Sequence, residues 1–142
     1  MLETNIDDMS QEIYSYILPK LFDMGVLDAF LTNIIMKKGR PAIKLSILLP
    51  SNLLERVESF IFHETTTLGV RKYRVEREIL ERHFTTLKTD IGEVSVKEGY
   101  YRGKCVNFKA EYDQCQRLAE RNNISLKEVY NRIHYFKELN EE

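Results

Sequence analysis

The chain has 142 residues, with 21 lysines and arginines against 22 aspartates and glutamates and a net charge of -1. That balance excludes the global electrostatic pull of a basic nucleic-acid binder, so any anion site must be built locally. No apolar run approaches the ~20 residues of a membrane span, since Lys44 and Ser46 break the stretch from Ile43 to Pro50; without an N-terminal basic and apolar leader, the expected location is the cytoplasm, with no membrane partner.

Leu2 to Asp7 reads as a short strand. Ser10 then offers a side-chain oxygen to cap a helix whose first turn holds Glu12 and whose apolar residues Ile13, Ile17, Leu21 and Tyr14, Leu18, Phe22 recur at helical spacing up to Gly25. Residues Val26 to Met36 are rich in β-branched and aromatic types, and Ile43, Leu45, Ile47 and Leu49 alternate as a half-buried strand requires. Lys37-Lys38-Gly39-Arg40-Pro41 between them predicts a turn. Leu53, Val57, Phe60 and Ile61 mark a second helix to about Glu64, and Val70 to Glu76 resume a period of two. The order β-α-β-β-α-β is that of the ferredoxin-like sandwich, so the expected class is α+β.

Further on, Phe84 to Thr89, Glu93 to Lys97 and Lys104 to Ala110 predict short strands punctuated by Gly92, Gly99 and Gly103. A helix is expected from Tyr112 to Asn123, and Ser125 with Glu128 forms a capping box for another helix burying Leu126, Val129, Tyr130, Ile133 and Phe136. The expected division is residues 1-80, a ferredoxin-like unit, and residues 81-142, a small β extension with two C-terminal helices. Cys105 and Cys115 fit no paired metal spacing and read as reduced thiols.

Three segments are polar or carry Gly and Pro where a core has no use for them: Glu3 to Met9, Met36 to Pro41 and His63 to Arg71. The β-α-β-β-α-β topology brings all three to one end of the sheet. There Arg40 and Arg71 supply planar forks and Lys37 and Lys38 supply point charges, which together suit a polyphosphate. Asp7, Asp8 or Glu64 supply oxygen for an accompanying Mg(II) or Mn(II). Thr65 to Thr67 add hydroxyls, and Gly39 and Gly69 let the backbone approach. Each feature has a plainer reading: a solvated hairpin turn, carboxylates favouring a helix N-terminus, a threonine-rich helix exit. None is a phosphate-binding motif by itself.

Taken together, Glu3-Thr4-Asn5-Ile6-Asp7-Asp8-Met9-Ser10, Met36-Lys37-Lys38-Gly39-Arg40-Pro41 and Glu64-Thr65-Thr66-Thr67-Leu68-Gly69-Val70-Arg71 resemble the carboxy-terminal half of the LarC family. These are the pyridinium-dithiocarboxylate mononucleotide nickel-insertion proteins of the lactate racemase cofactor pathway. Gly92-Glu93-Val94 and Glu111-Tyr112-Asp113-Gln114-Cys115 extend the resemblance over nearly the whole chain.

The resemblance implies a CTP-dependent cyclometallase of the lyase class, which inserts Ni(II) as substrate into a pincer nucleotide. It implies that Lys37, Lys38, Arg40, Thr66 and Arg71 hold CTP and that Asp7, Asp8 and Glu64 hold the accompanying Mg(II) or Mn(II). It assigns no catalytic residue and no cytosine contact. Cys115, His63 and His83 are chemically suitable nickel donors. Family members carry a further amino-terminal region, so full activity is expected to need that region as a partner. Extra strands beyond the first unit are compatible with a homo-oligomer. Two other classes compete: a non-enzymatic ferredoxin-like regulatory or assembly module, and a single-stranded RNA binder, which the near-neutral charge disfavours.

Overall fold

The computed structural model describes residues 1–139. The chain is α+β, with two antiparallel sheets and four helices, and it divides into two compact units, Met1–Glu76 and Arg77–Glu142.

In the first unit β1 (Leu2–Ile6), β2 (Asp28–Met36), β3 (Arg40–Leu48) and β4 (Arg71–Lys72) form one sheet in the order β2-β3-β1-β4. The helices are α1 (Gln11–Asp23) and α2 (Leu54–Glu64). Register follows the alternation of apolar residues: Leu2, Thr4 and Ile6 on β1 lie opposite Ile47, Leu45 and Ile43 on β3. Those positions share one face by the two-residue period of a strand. On that side Leu2, Leu45 and Ile47 join Ile17 and Leu21 of α1 and Val57 and Ile61 of α2 in a buried core. The helical pairs are four residues apart, so each helix turns one stripe inward. Full burial of each such side chain contributes about 1.5 to 3 kcal/mol.

Two local expectations change. Ser10 stands at the α1 N-cap in extended backbone, but its side chain makes no capping hydrogen bond; its carbonyl accepts from Ile13 N–H instead. The segment Val70 to Glu76 contributes only Arg71–Lys72 to the sheet. β4 runs antiparallel to β1, with Leu2 opposite Lys72, and Tyr73 N–H then meets the Met1 carbonyl.

In the second unit β5 (Glu81–Thr89), β6 (Gly92–Tyr101) and β7 (Lys104–Ala110) form a meander, packed against α3 (Tyr112–Asn122) and α4 (Leu126–Leu139). Leu87, Val94, Val96, Cys115, Leu118, Val129 and Ile133 make its core. The Ser125 hydroxyl accepts Glu128 N–H at 3.1 Å, as the capping box predicts. β5 and β6 are longer than their apolar patterns suggest, because backbone pairing continues through Arg82 and Gly99 to Glu81 and Tyr100. Gly99 therefore lies inside β6, at a bulge, rather than ending it. No helix among the described residues is long and apolar enough to cross a membrane.

Candidate nucleotide and metal site

The three unusual segments meet at one end of the first unit. β1 ends at Ile6 opposite Ile43, whereas the β2–β3 hairpin continues to the Met36–Arg40 pair. At about 3.4 Å per residue the hairpin therefore overhangs the end of β1 by roughly 10 Å. From the first residue of β3, Arg40 reaches back to Asp7, with Nη1 3.2 Å from Oδ2. The Thr66 hydroxyl, past the end of α2, donates to Asp8 Oδ1 at 2.5 Å. One contact ties the hairpin to the end of β1; the other ties the threonine loop to it.

The loop is itself organised. Thr65 bonds back to the Ile61 carbonyl at 2.7 Å, closing α2, and the Thr4 and Thr67 hydroxyls lie 2.5 Å apart and 3.0 and 2.9 Å from the Gly69 carbonyl, so that one hydroxyl donates to the other and the second to the carbonyl. Burial, and after it the charge of Asp8, holds the Tyr14 hydroxyl above its usual range.

Arg71 takes a different place in the network. On β1 the residues Glu3 and Asn5 face away from the helices, and so do Lys44 and Ser46 on β3, which lie opposite Asn5 and Glu3. Arg71, opposite Glu3 on β4, donates to Asn5 Oδ1 at 2.7 Å and lies 3.8 Å from the Glu3 carboxylate. Glu3 also accepts from Ser46 at 2.9 Å and pairs with Lys44 at 3.4 Å. Burial alone raises the Glu3 pKa, but the bonds from Ser46 and Lys44 outweigh it, and the carboxyl sits below its usual range. Sequence reasoning missed Glu3, Asn5, Lys44 and Ser46. Their signal was present in the alternation of polar residues with Leu2, Thr4 and Ile6 and with Ile43, Leu45 and Ile47.

Other expected residues stand apart. Lys37 and Lys38 are exposed at the hairpin tip and make no ion pair among the described residues. Lys38 has φ 62 and Gly39 φ 69. Gly39 accepts that geometry freely, whereas a lysine there costs roughly 1 to 2 kcal/mol. Glu64, half-buried, is the last residue of α2, and no three His, Cys, Asp or Glu side chains gather among the described residues. Each suggested nickel donor has a local setting of its own. His63 Nδ1 lies 2.7 Å from the Ser59 carbonyl, and His83 Nε2 lies 2.9 Å from Glu81. Cys115 is fully buried, and burial pushes its thiol up, away from the thiolate a metal needs.

The chemistry of the donor set suits a metal–polyphosphate. Arg40 is 58% exposed, so its pair with Asp7 contributes at most about 1 kcal/mol and is readily exchanged for a phosphate oxygen. A divalent ion carried by phosphates keeps several waters and asks the protein for only one or two carboxylates. Asp8, and Asp7 if Arg40 turned to a phosphate, would meet that need without a three-carboxylate cage.

Comparison with known proteins fixes the family. The sequence model described as nickel insertion protein matches residues 1–130. The chain belongs to the nickel insertion protein family. Among curated members, the pyridinium-3,5-bisthiocarboxylic acid mononucleotide nickel insertion protein of Clostridium acetobutylicum is 48% identical over 94% of this chain and 32% of its own length. The protein of that name from Clostridium kluyveri is 47% identical over 99% of this chain and 35% of its own. This nickel insertion family chain thus spans about a third of those relatives. Among solved structures it is similar to the apo C-terminal domain of a cyclometallase involved in synthesis of the NPN cofactor of lactate racemase, with TM-score 0.87 and 36% identity over 96% of this chain and 94% of that one. A protein from Methanopyrus kandleri matches with TM-score 0.71 and 28% identity, over 90% of this chain and 79% of that one.

Proposed function

We propose that this chain is the CTP-binding carboxy-terminal part of a CTP-dependent nickel-insertion enzyme, a cyclometallase that metallates the pincer mononucleotide cofactor of lactate racemase. The observation that carries the reading is the joining of Asp7 to Arg40 and of Asp8 to Thr66, which draws an acidic pair, a cationic hairpin and a threonine loop to one rim. Membership of the nickel insertion family, and the names of its curated relatives, support the substrate.

In this reading Arg40 and Arg71 exchange their present partners for phosphate oxygens, Lys37 and Lys38 fold over the polyphosphate from the overhanging hairpin, and Thr66 donates from the opposite side. Asp8 and Asp7 ligate the Mg(II) or Mn(II) that accompanies CTP, with Glu64 acting through water. Ni(II) is the cargo. The remaining two thirds of the relatives' length supplies the rest of the apparatus.

Calorimetric titration with CTP, ATP, GTP and UTP, each with and without Mn(II), tests the reading. A metal-dependent preference for CTP is expected. Indifference among the four nucleotides, or no binding, overturns it in favour of an assembly module.

A further inference from the structure

The second unit contains a groove of about 630 Å³, built from none of the residues assigned to CTP or its metal, lined in part by Thr86, Glu93, Ser95, Gln114, Arg117 and Arg121. Arg117 and Arg121 stand four residues apart on α3, about 6 Å along its axis, so their side chains share one face. Neither makes an ion pair or hydrogen bond among the described residues. Elsewhere in the same unit an arginine is committed: Arg132 holds both Asp90 and Glu128. The one carboxylate on the groove wall, Glu93, is already paired with Lys88 at 3.6 Å.

The wall opposite the arginines is fixed. Thr86 and Ser95 face each other in the β5–β6 register. Ser95 lies beyond the point where β7 covers β6, and there α3 takes over the open edge: Gln114 Oε1 accepts Ser95 N–H at 2.6 Å, and Glu111 N–H donates to the Ser95 carbonyl at 3.0 Å. Gln114 Nε2 donates to Ser95 Oγ at 3.1 Å, so the serine hydroxyl hydrogen is not used in that bond. The groove therefore offers two uncommitted guanidinium forks, a serine O–H and a threonine O–H, in a volume within the roughly 300 to 1,000 Å³ of small-molecule sites.

We propose that this groove binds an anionic pyridinium mononucleotide, with one arginine on its phosphomonoester and the other on a ring carboxylate or thiocarboxylate. Planar forks match both groups in bidentate fashion. The choice of ligand rests on the nickel-insertion reading; it gives the pincer precursor a seat separate from the CTP rim.

The probe is nicotinate mononucleotide, which carries a phosphate and one ring carboxylate. It is titrated calorimetrically into the whole chain, beside inorganic phosphate and CTP with Mn(II). Binding of the mononucleotide is expected, with perturbation of the Ser95 and Gln114 amide resonances. The double variant Arg117→Gln, Arg121→Gln should weaken it about tenfold or more and leave CTP affinity unchanged. Both side chains are exposed, so an unchanged melting temperature confirms a folded variant. No mononucleotide binding, equal binding by the variant, or inorganic phosphate binding as tightly as the mononucleotide overturns the proposal. Mononucleotide binding that survives while CTP fails to bind supports this groove and counts only against the CTP rim.

Discussion

The Asp8 carboxylate accepts the Thr66 hydroxyl at 2.5 Å across 58 residues of chain, joining the end of β1 to the exit of α2. Because a hydroxyl also donates to an amide oxygen, though less strongly than to a carboxylate, Asp8→Asn can keep this bond while removing the charge. The variant should fold normally and lose most of the Mn(II) enhancement of CTP binding. Titrations with and without metal read this directly, and an unchanged enhancement removes Asp8 from the ligand set.

Arg40→Ala and Lys38→Ala separate binding from folding. Both side chains lie at the exposed hairpin, and the Arg40 pair with Asp7 is an exposed one, so melting should shift little. CTP affinity should fall about tenfold for each, the loss of one charge-assisted contact. Lys38 also holds φ 62, so Lys38→Gly removes the charge and the backbone strain together. It should lose CTP affinity while gaining stability.

In the second unit, Glu98 of β6 pairs with Lys137 of α4 at 2.5 Å, their side chains 6% and 12% exposed, and Tyr100 also donates to Glu98 at 3.0 Å. Lys137→Met strands the carboxylate, and about 3 to 5 kcal/mol of stability should be lost. The bond from Lys137 holds the Glu98 carboxyl below its usual range despite burial. A group whose folded pKa is depressed stabilises the fold above its ordinary value, and that contribution is lost as pH falls through the folded value. Denaturant melts should therefore show wild type losing stability as pH drops below the glutamate range, and Lys137→Met losing much less over the same interval.

Gly92 opens β6 with φ +131, and a Cβ there would stand 2.7 Å from Leu118 Cδ2. Gly92→Ala should cost about 1 to 3 kcal/mol, from crowding in the core together with an unfavourable backbone. Gly69, with nothing within 4 Å of its virtual Cβ and no positive φ, is the control. Gly69→Ala should leave the denaturation midpoint nearly unchanged.

The sequence by itself determined which elements form and which face of each is buried, because strand and helix periods are local and Ile43, Leu45, Ile47 or Val57 and Ile61 declare them without help from distant chain. It also nominated the acidic pair, the cationic turn and the threonine loop, since charge and glycine stand out against an apolar pattern. What only the tertiary structure decided was pairing across the chain. β4 pairs with β1 over only two residues, Glu3 is held by Ser46 and Lys44 through register, and Arg40 and Thr66 reach Asp7 and Asp8 from distant parts of the chain. The freedom of Arg117 and Arg121 was equally illegible, because a local pattern tells that an arginine is charged but not whether a carboxylate from another element reaches it.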